Sequence, residues 1–183
     1  MKKVYLFLAD GFETVEALAP VDVMRRAGLQ VITVSIMGRK SVLSAQDVFV
    51  NADVLFEECN FDDADALVLP GGSVGTENMS ACEALRNEIN RANNNNKILA
   101  AICAAPMVFG RMGILNGRKA TCYPGCETDL LGAEYTATTV QIDKNIITAC
   151  GPGASFDFGF AIVEHFCGAE TVSTLRAQMQ FRD

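Results

Sequence analysis

Cys103 is the residue best placed to do chemistry. It stands in the segment LAAICAAPMVFG, from Leu99 to Gly110, where an apolar strand-like run ends and a helical pattern begins. Only small residues, Ala100, Ala101, Ala104 and Ala105, crowd the turn. Such neighbours permit the sharp strand-to-helix elbow that exposes a nucleophile. A helix starting after the cysteine aims its positive end at the sulfur, which favours thiolate over thiol. Pro106 suits the first turn of that helix, where a backbone N–H has no partner to lose. The competing reading is a buried cysteine closing a core strand.

Two further segments could bring groups to that sulfur. In DGFETVEA, Asp10 to Ala17, Glu13 and Glu16 are three residues apart at the start of a helix. Glu13 fits a first-turn acid that complements the helix dipole. Glu16 has Val15, Ala17 and Leu18 around it, and a carboxyl buried there has its pKa raised. Protonated, it donates to a thiolate; ionised, it opposes one. In LPGGSVGTEN, Leu69 to Asn78, Gly71 and Gly72 turn the chain sharply, and their N–H groups are candidate oxyanion donors. Cys122 and Cys150 both end apparent strands and are secondary candidates, although each also reads as structural. His165, the sole histidine, reads as a helix-end residue.

These segments need a scaffold. Apolar runs over residues 3–9, 64–69, 97–102 and 145–149, each bounded by turn residues, predict strands covered on both faces. Residues 30–36 alternate with β-branched side chains and predict another strand, and residues 41–50 a small hairpin. Helices are expected over 14–27, ending at Gly28, and over 81–92, 156–166 and 170–178. Alternation of strands and helices implies a mostly parallel sheet with helices on both faces, whose ligand sites lie beyond the carboxyl ends of the strands. With 183 residues, half of them hydrophobic, residues 1–183 are expected to form one domain.

Composition narrows the function. A net charge of −7, with no Lys/Arg run, argues against nucleic acid as a partner. The first apolar run is too short to span a membrane and meets Asp10 and Glu13 at once, so no membrane partner and a cytoplasmic location are expected. Seven scattered cysteines argue against a disulfide framework, and only Cys122 and Cys126 lie close together, so no metal site is expected.

Taken together, the segments resemble the DJ-1/ThiJ/PfpI family over essentially the whole chain. The resemblance rests on Gly11 to Glu16, PVDVMRRAG (Pro20 to Gly28), LPGG, AAICAAP (Ala100 to Pro106), KATCYPG (Lys119 to Gly125) and GPGASFDFGFAIVE (Gly151 to Glu164), and is nearest the small DJ-1-like branch. It implies an α/β three-layer, flavodoxin-like sandwich and a homodimer. It implies that Cys103 is the nucleophilic, oxidisable cysteine and that Glu16 is the protonated carboxyl beside it. The Gly71–Gly72 turn and the Ala104 amide would be the backbone donors. Many members carry a histidine in the segment matching Lys119 to Gly125; here Tyr123 holds that place, which weakens peptidase chemistry. Gln46 and Cys150 hold the places of two site arginines common in that branch, while Arg25 and Arg26 remain in the PVDVMRRAG motif, with Arg26 a secondary site candidate.

The expected function is therefore a cofactor-free, cysteine-dependent protective enzyme acting on small reactive carbonyls or glycated proteins, of glyoxalase or deglycase type. The alternative is a redox sensor or chaperone without turnover. An intracellular cysteine peptidase and a purely binding or regulatory domain are weaker readings.

Overall fold

The computed structural model describes residues 1–182. The strands are β1 (Lys3–Leu8), β2 (Gln30–Ser35), β3 (Ser41–Leu43), β4 (Phe49–Asn51), β5 (Val54–Leu55), β6 (Ala66–Leu69), β7 (Ile98–Ile102), β8 (Lys119–Ala120), β9 (Glu134–Tyr135), β10 (Val140–Asp143) and β11 (Ile146–Ala149). The helices are α1 (Thr14–Arg26), α2 (Ser73–Ala81), α3 (Glu83–Asn94), α4 (Pro106–Arg111), α5 (Ser155–Cys167) and α6 (Ala169–Gln178). Seven strands form one sheet in the order β10-β11-β7-β6-β1-β2-β5. All neighbours in it are parallel except the β10–β11 pair.

The expected α/β sandwich is what forms, and the reason is visible in the central strands. Val4 to Leu8, Ala66 to Leu69 and Ile98 to Ile102 are buried along their whole length. Such strands need cover on both faces. One face packs Leu6, Leu8, Ala100 and Ile102 against Ala17, Val21 and Met24 of α1 and Phe158 and Ile162 of α5. The other packs Phe7, Leu67, Leu69, Leu99 and Ala101 against Met79 of α2, Leu85 and Ile89 of α3 and Val108 of α4. The small hairpin is β3 and β4, antiparallel, tied to the start of α1 by a bridge from Phe12 to Ser44 and a Thr14–Ser44 hydroxyl contact of 2.8 Å.

Strands β5, β8, β9 and β10 were not expected, but the departure that bears on the site lies before α3. Residues 73–81, which follow the expected Gly71–Gly72 turn and for which no helix was expected before residue 81, form α2. The helix expected over 81–92 instead begins at Glu83 and is separated from α2 by Cys82 in an extended conformation (φ −73°, ψ 100°). Gly75 conceals α2 in the sequence, since a glycine costs a helix about 1 kcal/mol against alanine. Tertiary packing outweighs that cost here. A side chain at position 75 would come within 2.7 Å of the Phe12 backbone, so only glycine lets α2 lie against the first strand–helix loop.

Candidate active site

Strand β7 delivers Cys103 to the carboxyl edge of the sheet. The ladder with β11 continues one step past the strand, through a 2.9 Å bond from Cys103 N to Ala149 O. Cys103 then adopts φ +64°, in the left-handed region. A non-glycine residue there costs about 1–2 kcal/mol. The turn closes with Ala105 N donating to Ile102 O at 3.0 Å, and Pro106 opens α4 as its first residue. The strained elbow expected from the small flanking residues is thus present.

Glu16 reaches the same place from α1. Glu13 caps that helix, its carboxylate accepting from Glu16 N at 2.8 Å, and Glu13 N donates to Gly71 O at 3.0 Å. These bonds fix the first turn against the β6 loop. The Glu16 side chain is fully buried. Its Oε2 accepts from Gly71 N at 2.9 Å, while Oε1 is enclosed with no partner of ordinary hydrogen-bond geometry among the described residues. The side chain that bears on the carboxyl is that of Cys103. Burial pushes the Glu16 pKa up to about 7; Cys103 opposes this, the Glu13 charge adds to it, and the Gly71 amide opposes it again. A buried acceptor without a partner costs roughly 1–3 kcal/mol. A proton on Oε1 removes that penalty and turns the atom into a donor.

The thiol moves opposite to the helix-dipole expectation. Burial pushes the Cys103 pKa up to about 12, and the charge of Glu16 and its hydrogen bond add to the rise. The amides of Gly72 and Ala104 pull it down. Helix α4 has only six residues and starts three positions beyond the sulfur, so its field is weak beside a buried carboxylate. The two contributions from Glu16 both require the ionised carboxylate. The thiolate therefore becomes accessible when Glu16 carries the proton, and the pair works as one coupled unit.

The backbone donors divide their tasks. Gly71 N–H is committed to Glu16, so it does not serve the sulfur; Gly72 and Ala104 do. Gly72, at φ +89°, is the N-cap of α2, so the helix that the sequence conceals begins at the site.

The secondary candidates separate. Tyr123 N donates to Cys103 O at 2.8 Å, and its half-exposed ring lies against Gly151. Cys150 directly follows β11, and the β7–β11 register sets it level with Cys103. Gln46 Oε1 accepts from Thr14 N and Thr14 Oγ1 at 3.0 and 2.7 Å, beside the entry to α1. Cys122 is buried in the core on the opposite face of the sheet from Cys103. Arg26 falls away: it is ten residues past Glu16 on α1, about 15 Å along the helix, and pairs with Asp22 at 2.8 Å on the surface. Arg25 likewise turns to Asp53 and Val31 O. His165, in the last turn of α5, lines a cleft with Lys2, Asp65 and Asn145 at the starting ends of the strands, the end opposite Cys103.

The DJ-1/PfpI family model matches residues 2–165. This chain belongs to the DJ-1/PfpI family. The relationship extends over the full length. This family member is 34% identical to the Parkinson disease protein 7 homolog of Danio rerio, covering 100% of this chain and 98% of that one. It is 32% identical to a protein of Pyrococcus abyssi named as a deglycase, over 82% of this chain and 91% of that one. Among solved structures, oxidized DJ-1 of Toxoplasma gondii superposes with a TM-score of 0.96 at 28% identity, with 100% of each chain covered. The mostly parallel α/β sheet with its covering helices is thus the DJ-1 fold.

Proposed function

We propose that this protein protects against reactive carbonyls, acting on small dicarbonyls or glycated protein adducts as a glyoxalase or deglycase, with Cys103 as nucleophile and Glu16 as proton carrier. The observation that carries the reading is the buried Glu16 carboxyl, raised to about 7 and left with one unpartnered oxygen beside the Cys103 thiol. The deglycase name of the Pyrococcus abyssi relative supports the substrate class.

In this scheme the Cys103 sulfur attacks the carbonyl carbon and the C=O π electrons move to oxygen. Glu16 in its protonated form gives that oxygen a proton, and the thiol proton of Cys103 passes to solvent water. The adduct is a neutral hemithioacetal. With a dicarbonyl, the Glu16 carboxylate then moves the C–H proton of the attacked carbon to the neighbouring carbon while the hydroxyl proton passes to the second carbonyl oxygen. Water hydrolyses the resulting thioester to a hydroxy acid and the free Cys103 thiol. The amides of Gly72 and Ala104 favour the anionic sulfur that attacks and later departs. Every group needed is a protein side chain or amide, so the scheme uses no cofactor. Methylglyoxal loss should be measured for the wild type, Cys103→Ser and Glu16→Gln. Turnover that vanishes in the first variant and drops about a hundredfold or more in the second supports it; turnover surviving in Cys103→Ser defeats it.

A second reading, redox sensing or a chaperone role without turnover, draws on the same unpartnered oxygen. A protonated Glu16 Oε1 would hydrogen-bond a sulfinate on Cys103 and slow further oxidation. Intact mass after peroxide would then show two added oxygens at Cys103. Peptidase activity is less well supported, because His165 stands at the far end of the sheet.

A homodimer is part of the proposal. Val15 and Leu18 on α1, and Val48 and Phe49 in the adjoining hairpin, are exposed apolar side chains. Light scattering should give twice the chain mass, and Phe49→Glu should shift it towards the monomer. No helix among the described residues is long and apolar enough to cross a membrane, and the protein is proposed to act in the cytoplasm.

A further inference from the structure

Cys150 has a geometric relation to Cys103 that no other cysteine shares. Strands β7 and β11 are parallel neighbours, and their last register pair is Ile102 with Ala149. One step further along both chains stand Cys103 and Cys150. The bond from Cys103 N to Ala149 O at 2.9 Å holds the register through that step. Neighbouring strands lie about 4.8 Å apart, and disulfides join Cα atoms roughly 4.4–6.8 Å apart. At that spacing the two Cα atoms fall within the range that a disulfide spans.

The two side chains also share a face. Cys103 and Cys150 both pack, partly buried, against the core formed with α1 and α5. Cys59, Cys82, Cys122 and Cys126 pack into the core on the other side, with the sheet between them and the reactive sulfur. Cys167 is on the correct face but closes α5, which runs from Ser155 back towards the start of the strands, about 18 Å long. Cys150 alone combines face, level and adjacency.

We propose that Cys103 and Cys150 form a redox-active pair, in which Cys150 resolves the sulfenic acid of Cys103 as an intramolecular disulfide. The proposal rests on the reading of Cys103 as an oxidisable thiol. A peroxide ROOH oxidises Cys103–SH to Cys103–SOH and is itself reduced to ROH. The sulfur of Cys150 then attacks the sulfur of Cys103. The S–O bond breaks, the S–S bond forms, and the departing hydroxide leaves as water with the thiol proton of Cys150. An external dithiol returns both residues to thiols. This route competes with further oxidation to sulfinate, which thiols do not reverse, so Cys150 makes the oxidation of Cys103 recoverable.

The test uses the full chain, treated with one to two equivalents of hydrogen peroxide, alkylated and weighed intact under non-reducing conditions, with peptide mapping. The expected wild-type product has lost two hydrogens, contains a Cys103–Cys150 cross-linked peptide and reverts with dithiothreitol. In Cys150→Ser the cross-link disappears and Cys103 gains two oxygens instead. Two added oxygens at Cys103 in the wild type, with no cross-link, overturn the pair but leave the oxidisable Cys103 standing. A cross-link from Cys103 to another cysteine, or between two chains, also overturns it. An unchanged Cys103 thiol in both proteins removes the oxidisable cysteine itself, and the pair with it.

Discussion

Glu16 and Cys103 are held against each other across Gly71. A methyl group placed on Gly71 would lie 2.5 Å from Glu16 Oε2 and 2.6 Å from Cys103 Cβ, so the absent side chain is what allows carboxyl and thiol to meet. Gly71→Ala should therefore do two things together. It should lower stability by about 1–3 kcal/mol through overpacking, and it should part the pair, cutting methylglyoxal turnover or peroxide reactivity more than the stability loss explains. Urea unfolding and turnover on the same preparation check both. A variant of wild-type stability and activity would mean that the loop yields and the contact is not restrictive.

The raised pKa of Glu16 has a consequence for stability. Its folded value is about 7 against an ordinary value of 4.5. The folded state thus binds more protons than the unfolded chain between those values. Linkage then makes stability fall as pH rises through that window. The favourable contribution is complete below about pH 4.5 and lost above about pH 7, and its size is on the order of 3 kcal/mol. Glu16→Gln keeps the oxygen that accepts from Gly71 but cannot ionise. Urea midpoints between pH 5 and 8 should fall more steeply for the wild type than for Glu16→Gln. Parallel curves would show that Glu16 stays ionised throughout.

The same substitution should lower the thiol pKa. The ionised carboxylate is the second and third cause of the rise at Cys103, after burial. Removing that charge leaves burial opposed by the Gly72 and Ala104 amides. Each unit of fall multiplies the thiolate fraction about tenfold below the pKa. Iodoacetamide alkylation of Cys103 in Glu16→Gln should set in at lower pH than in the wild type. A later onset would show that the protonated Glu16 donor outweighs its charge in the resting site.

Much of this site was legible because the relevant signals are local. Cys103 betrays itself by its small neighbours and by Pro106, and Glu16 by its apolar frame. The role of Gly72 was harder to read. Its amide is aimed by α2, and α2 exists because position 75 lacks a side chain that would strike Phe12. That is a contact across more than sixty residues, which no local pattern carries. The division of labour between Gly71 and Gly72 depends likewise on Glu16, far away in sequence. Arg26 misled for the converse reason. It lies in a recognisable motif, but helix geometry takes it a helix length away from the first turn of α1. The thiol pKa was misjudged because a dipole argument from one short helix omits the buried charge facing it.

The left-handed conformation of Cys103 supplies the last prediction. At φ +64° a side chain is strained wherever it points, and glycine alone avoids the cost. Comparing wild type with Cys103→Gly would mix this strain with lost packing. Cys103→Ala provides the better reference, since it deletes the thiol but keeps Cβ. Cys103→Gly should then be more stable than Cys103→Ala by about 1 kcal/mol, the strain relieved less the extra freedom glycine gives the unfolded chain. For a domain of this size that is a rise of roughly 2–4 °C in Tm, measurable by calorimetry at pH 7. Both variants should lack all Cys103 chemistry. Equal stability would mean that the turn relaxes once the thiol is gone. In that case the Cys103 side chain, held between Gly71 and Glu16, is what bends the backbone, and not the small residues on either side of it.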